Sequence, residues 1–176
     1  MNKRQSRRII DGTSQTKIAL HERVRQMLTL ERLCSRFPLV ARQLESRHGG
    51  RDTFHVKDEY DVRDLLHALL TLEYDDIWLE EWTPPYAGGN PQTDFLLKLE
   101  QIVLEAKMIR SDWGAGELEE QLTLDIKKYN QRPDCRTLVC FVYDPEERIA
   151  NPHEIENHLG RDRDGLAVRI IIASRP

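Results

Sequence analysis

Residues 93–109 read Thr93-Asp94-Phe95-Leu96-Leu97-Lys98-Leu99-Glu100-Gln101-Ile102-Val103-Leu104-Glu105-Ala106-Lys107-Met108-Ile109, and this stretch decides the fold. Two extended runs, Thr93–Leu97 and Ile102–Ile109, are separated by only a few residues, the spacing of a β-hairpin. Along the second run, alternation puts Ile102, Leu104, Ala106 and Met108 on one face and Val103, Glu105, Lys107 and Ile109 on the other. A loop of two or four residues then sets Asp94 directly across from Glu105 or Lys107, whereas a loop of three breaks the relation. Opposed side chains have Cβ atoms roughly 4.5–5.5 Å apart, so either register gathers Asp94, Glu105 and Lys107 in one place.

Working outward, Val62, Leu65, Leu66, Leu69 and Leu70 mark one face of a helix from about Asp58 to Leu72, and Ile77–Trp82 reads as a short strand stopped by Pro84-Pro85. Beyond the hairpin, Leu118, Leu122, Ile126 and Tyr129 form the stripe of another helix. Thr137–Tyr143 and Leu166–Ala173 are apolar runs short enough to be buried strands, with a weak helix near Pro152–His158 between them. The helix between the hairpin and Thr137 allows a crossover. The expected fold is therefore α/β, a mixed sheet flanked by helices in the order helix, three strands, helix, strand, then helix and strand.

The N-terminal part follows a different grammar. Residues 1–16 lack periodicity and are expected to be a mobile arm; from Lys17 a helical pattern runs through Leu20, Val24, Met27, Leu28 and Glu31. Pro38 suits the first position of a second helix ending near Gly49-Gly50, giving an N-terminal helical hairpin. The double glycine and Arg51-Asp52 set the expected boundary between a basic arm and hairpin, 1–52, and a main domain, 53–176. Residues 1–57 carry 13 Lys and Arg against 5 Asp and Glu, while residues 58–176 carry 13 against 25. A basic arm can neutralise phosphates, although such a stretch is also an ordinary solvated surface.

Composition narrows the classes. The 176 residues are 39% hydrophobic and 32% charged, which suits one globular domain with an appendage. No apolar run approaches the roughly 18 residues of a membrane span, and the basic N-terminus lacks the apolar core of a secretory signal, so a cytoplasmic location is expected. Cys34, Cys135 and Cys140 form no C-x-x-C pair and read as buried free thiols. The chain has no Gly-rich loop with Lys-Ser/Thr, no G-x-S-x-G and no H-E-x-x-H; His153-Glu154 precedes His158 at a spacing that does not stack on one helical face.

The chemistry rests on the hairpin and the helix before it. Stepping back three residues from Val62 reaches Glu59, an acid where the pattern asks for an apolar side chain; it either faces the sheet and meets a cation or donor, or is an exposed first-turn acid favoured by the helix dipole. Two carboxylates can share a divalent cation, which binds a phosphate oxygen and lowers the pKa of a water. The ammonium of Lys107 then stabilises charge developing on a phosphorane or orients the water. Mg2+ suits this oxygen-rich set best, with Mn2+ as a substitute. The bland alternative is a half-exposed hairpin with a cross-strand ion pair.

Together, Asp94, Glu105-Ala106-Lys107, Glu59 and the element order resemble the PD-(D/E)xK nuclease superfamily. The phrases Lys57-Asp58-Glu59-Tyr60-Asp61-Val62, Glu81-Trp82-Thr83-Pro84, Tyr86-Ala87-Gly88-Gly89, Thr93-Asp94-Phe95-Leu96-Leu97, Ile102-Val103-Leu104-Glu105-Ala106-Lys107 and Cys140-Phe141-Val142-Tyr143-Asp144-Pro145 are similar, in this order, to the small nuclease domains grouped with the DpnII/MboI restriction endonucleases. The resemblance implies a restriction-endonuclease-like core, with Asp94 and Glu105 as metal ligands, Lys107 as the catalytic lysine and Glu59 as a supporting acid. Gln121 resembles the helix glutamine that many relatives aim at the site; a glutamine beside a stripe is also often a surface amide. Thr93 stands where the motif has proline, the nearest being Pro91, which removes no ligand. Trp82, Tyr86 and Gly88-Gly89 lead into Asp94 and suit either a DNA groove or core packing.

The expected function is a Mg2+-dependent DNA endonuclease of a prokaryotic restriction or antiviral defence system. DNA is the expected partner, with a homodimer or defence-system partner protein and no membrane. Two alternatives stand beside it: a nuclease-fold module that binds DNA or a partner with little activity, and an effector silent until a partner assembles it. The intact Asp94, Glu105 and Lys107 argue against the first.

Overall fold

The hairpin adopts the register that brings Asp94 to Glu105. Phe95 pairs with Leu104, Leu96 with Val103 and Leu97 with Ile102, leaving Lys98–Gln101 as a four-residue loop. A computed structural model describes the backbone of residues 3–79 and 94–174, with side chains from Leu20 onward within them. The expectations for Glu81, Trp82, Pro84-Pro85, Tyr86, Gly88-Gly89, Pro91 and Thr93 lie outside these residues.

Among the described residues five strands form one mixed sheet in the order β1-β2-β3-β4-β5. Strands β1 (Ile77–Trp78), β2 (Phe95–Leu97) and β3 (Ile102–Met108) are antiparallel; β4 (Thr137–Asp144) and β5 (Ala167–Ser174) run parallel to β3. Helices α1 (Lys3–Glu45) and α2 (Glu59–Leu70) precede β1, α3 (Ala115–Tyr129) makes the crossover to β4, and α4 (Pro152–Leu159) the crossover to β5. The alternation read in β3 holds: Ile102, Leu104 and Ala106 pack in the α1/α2 layer, Val103 and Ile109 in the α3/α4 layer. A mixed sheet between two helical layers is the expected class.

Local chemistry sets the two helices that matter for the site. Asp58 caps α2, its Oδ1 accepting the N–H groups of Tyr60 at 2.9 Å and Asp61 at 3.1 Å, so Glu59 falls in the first turn. Val62, Leu65, Leu66 and Leu70 bury the apolar stripe. At the start of α3, Glu117 Oε2 accepts the Gly114 N–H at 3.0 Å, and Leu118, Leu122, Ile126 and Tyr129 face inward.

The N-terminal part corrects the expectation of a helical hairpin that starts only at Lys17. Lys3–Glu45 is one helix of 43 residues with Pro38 in its interior. An interior proline removes a hydrogen bond and costs about 3 kcal/mol in a helix. Here Leu30, Cys34, Phe37 and Ala41 are buried at helical spacing on both sides of it, so core packing holds the helix together through the proline. The chain turns only later, where Gly49 and Gly50 adopt positive φ of 75° and 66°. Strand β1 is likewise shorter than expected, since Leu79 already lies outside it. The three cysteines are buried and free, and burial pushes their thiol pKa values up.

Packing makes the second half of α1 part of the core. The Phe37 ring lies 5.1 Å from each of Phe141 and Tyr143 on β4, centroid to centroid. Phe37→Ala should destabilise the protein by about 3–5 kcal/mol in urea unfolding. A loss below about 1 kcal/mol, the usual size for a surface substitution, would show that α1 docks without holding the core.

Candidate active site

The register carries one step beyond the last paired residues. Asp94 immediately precedes β2, and its Oδ2 accepts the Ala106 N–H at 2.7 Å, which locks the carboxylate beside Glu105. Both acids are nearly inaccessible, Asp94 at 5% exposure and Glu105 at 6%. Glu105 and Lys107, two residues apart, share the face turned to α3, where Tyr129 donates its hydroxyl hydrogen to Glu105 Oε1. Lys128 brings its ammonium to 3.6 Å from the same oxygen and sits over the Tyr129 ring at 4.5 Å. The Lys107 ammonium lies 2.9 Å from Asp125 Oδ2, one turn before Tyr129 on α3.

Burial pushes both carboxylates above the ordinary range. For Asp94 the Ala106 hydrogen bond and the Arg63 charge pull back against burial, and Glu59 pushes upward. For Glu105 the Asp94 charge adds to burial, while Tyr129 and Lys128 oppose it. Lys107 moves differently. Burial pulls it down, but the charge of Asp125, in ion-pair contact, and that of Glu105 more than offset this and hold it above its ordinary value. The lysine is therefore a cation at neutral pH, suited to meeting negative charge rather than to accepting a proton.

Glu59 is half-buried, its charge reaches Asp94, and it lines a cleft of about 630 Å³ with Lys57, Tyr60, Met108, Arg110 and Glu146. Gln121 is half-buried one turn before Asp125, on the side of α3 that carries Asp125 and Tyr129. The sequence reading missed four side chains. Arg63, whose Nε is 2.8 Å from Asp94 Oδ1, stands one turn after Glu59. Asp125 and Tyr129 follow Gln121 at successive turns, a spacing that could have revealed a common face, and Lys128 flanks it.

This donor set fits a hard divalent cation. Two adjacent buried carboxylates repel each other, and one oxygen of each is already oriented by a neutral donor, Ala106 N–H or Tyr129 O–H. Mg2+ is usually bound through one or two carboxylates, keeping waters and taking substrate phosphates. Among the described residues no group of three or more His, Cys, Asp or Glu side chains could hold a metal by itself, so such water and phosphate ligands would be needed.

A mixed sheet between helical layers, entered by a helix and an antiparallel hairpin and closed by parallel crossovers, is the architecture of a restriction-endonuclease-like core. The family model described as REase_DpnII-MboI matches residues 28–175, and the chain belongs to this DpnII/MboI family of restriction endonucleases. No curated protein and no solved structure gives a significant match. Membership supports a DNA nuclease. Among the described residues, no helix is long and apolar enough to cross a membrane.

The raised acid of Glu105 has a thermodynamic consequence. Because its folded-state pKa, pushed up to about 7, exceeds the unfolded value, the folded protein holds the proton longer and this group removes stability as pH rises from about 4.5 to 7. Glu105→Gln abolishes that loss. In EDTA, the variant should gain about 1–3 kcal/mol on the wild type across this window, measured by chemical unfolding at a series of pH values. A difference independent of pH would contradict the burial and repulsion described.

Proposed function

We propose that the chain is a Mg2+-dependent endodeoxyribonuclease, with Mn2+ as a substitute, acting on DNA in a cytoplasmic prokaryotic restriction or antiviral defence system. The observation that carries this reading is the buried pair Asp94 and Glu105, joined by hairpin register, with the charged Lys107 beside it. Asp94 and Glu105 would hold the cation, which supplies Lewis-acid polarisation of the scissile phosphate and a water of lowered pKa. The remaining work falls to the chain's own groups. The Ala106 N–H and Tyr129 O–H keep the two carboxylates oriented, so little reorganisation is needed during reaction. Lys107 meets the charge that develops on the phosphoryl oxygens, and Asp125 keeps its ammonium charged and directed. Glu59 supports the site from α2, and Gln121 extends the α3 face toward the substrate.

Residues 1–52 serve DNA affinity or assembly with a second copy or a defence-system partner. The chain from residue 53 onward is acidic, and an acidic surface approaching DNA is steered unfavourably unless local positive charge intervenes. Residues 1–19 carry five Lys and Arg against one acid, and beyond them Leu20, Val24 and Leu28 are exposed at one-turn intervals on α1.

Purified protein incubated with supercoiled plasmid and Mg2+ should nick or linearise it, and EDTA should abolish the reaction. Lys107→Ala should cut at least about a hundredfold more slowly, with DNA binding retained, because the ammonium acts on charge formed in the transition state. Undiminished cleavage in EDTA, or near wild-type rates for Lys107→Ala, would contradict the proposal. Removing residues 1–19 leaves the packed half of α1 in place. If the arm contacts phosphates, the truncation should weaken DNA binding and reduce the log-log salt slope by about 0.9 for each lost contact. If it serves assembly, the solution mass changes and the slope stays; a protein unchanged in both would show that the arm does neither.

A further inference from the structure

One basic side chain near the site has no part in the chemistry just described. Arg63 projects from α2 to Asp94, its Nε 2.8 Å from Oδ1, with the arginine side chain 22% exposed and the aspartate 7%. Among the described residues Arg63 Nε finds no aligned hydrogen-bond acceptor, so its contact with Asp94 is one of charge against charge. The two oxygens of Asp94 therefore differ. Oδ2 is fixed by a backbone N–H inside the hairpin and cannot change partner without breaking the register. Among the described residues Oδ1 meets the tip of a long side chain with several rotatable bonds. A cation shared by Asp94 and Glu105 needs an oxygen on each, and the exchangeable one on Asp94 is the one Arg63 engages.

We propose that Arg63 and the divalent cation compete for Asp94 Oδ1, so that cation binding releases the guanidinium and the released guanidinium takes a phosphate of the DNA backbone. This rests on the reading of Asp94 as a metal ligand. Three features support it. The ion pair is badly aligned, so the guanidinium gives up hydration without gaining a full hydrogen bond and little holds it against a doubly charged rival. The side chain has somewhere to go, because Arg63 itself lines a cavity of about 180 Å³ together with Tyr60, Asp64, His67, Leu79 and Phe95. A guanidinium fork also matches phosphate oxygens in pairs, so its release next to the cleavage site creates a phosphate contact present only when the cation is bound. Cation and DNA then reinforce each other through one side chain, and by reciprocity DNA tightens the cation as much as the cation tightens DNA.

The test uses the full chain and Mg2+ alone. The Arg63 Nε–Hε resonance, identified as the signal missing from the spectrum of Arg63→Lys, should move toward solvent-exposed values during a Mg2+ titration, with the midpoint found by calorimetry. Arg63→Gln, which removes the competitor, should bind Mg2+ about tenfold more tightly, and Arg63→Lys, which keeps the charge, should fall between it and the wild type. In Ca2+, DNA affinity of Arg63→Gln should drop and depend less on the divalent cation. Mg2+ binding with an unmoved Arg63 signal would overturn this inference and leave the proposed function standing. Wild-type protein that binds no divalent cation would overturn both.

Discussion

The hydrogen bond from the Ala106 N–H to Asp94 Oδ2, 2.7 Å long, is the constraint on which the site depends. It extends the β2–β3 pairing to a residue outside the strand and joins an acid at one end of the hairpin to the strand that carries Glu105 and Lys107. A slip of one residue would turn Glu105 and Lys107 to the opposite face of the sheet, away from Asp125 and Tyr129. Register here is stabilised by apolar contacts on both faces, Phe95, Leu97, Ile102 and Leu104 on one, Leu96 and Val103 on the other. The core that folds the protein thus also positions its polar centre.

That centre is a balance of opposed charges in a poorly solvated place. Two carboxylates lie together and burial alone would favour their neutral forms, but Arg63 reaches one from α2 and Lys128 the other from α3. Lys107 meets Asp125 in the same way. Each charge has a partner on a neighbouring element, which is what a low-dielectric setting requires. The arrangement remains responsive because several of these partners are long side chains on helices, while the donors that fix the acids are a backbone N–H and a phenol in the core.

Much of this was legible in the sequence, for identifiable reasons. Strand periodicity is two and hairpin loops take few lengths, so Asp94, Glu105 and Lys107 could be gathered from spacing alone. The α2 stripe pointed to Glu59 as an acid at the start of its helix, and there it is half-buried in the first turn, where its charge pushes the Asp94 carboxyl upward. Arg63 and Lys128 were not legible, because their roles depend on how two helices are rotated and set against the sheet, which periodicity within each helix does not specify; for Asp125 the spacing from Gln121 marks a shared face but not what that face meets. Tyr129 was read as core, and it is core, yet its hydroxyl serves the site. Pro38 misled because a local rule ends a helix there, whereas burial of Cys34, Phe37 and Ala41 around it keeps the helix continuous.

The proposed cation site depends on register bringing Asp94 and Glu105 together. Mn2+ binding by electron paramagnetic resonance, compared among the wild type, Asp94→Asn and Glu105→Gln, is the decisive measurement. One site is expected in the wild type, lost or strongly weakened in each variant, with both variants folded. Wild-type affinity in either variant would contradict it.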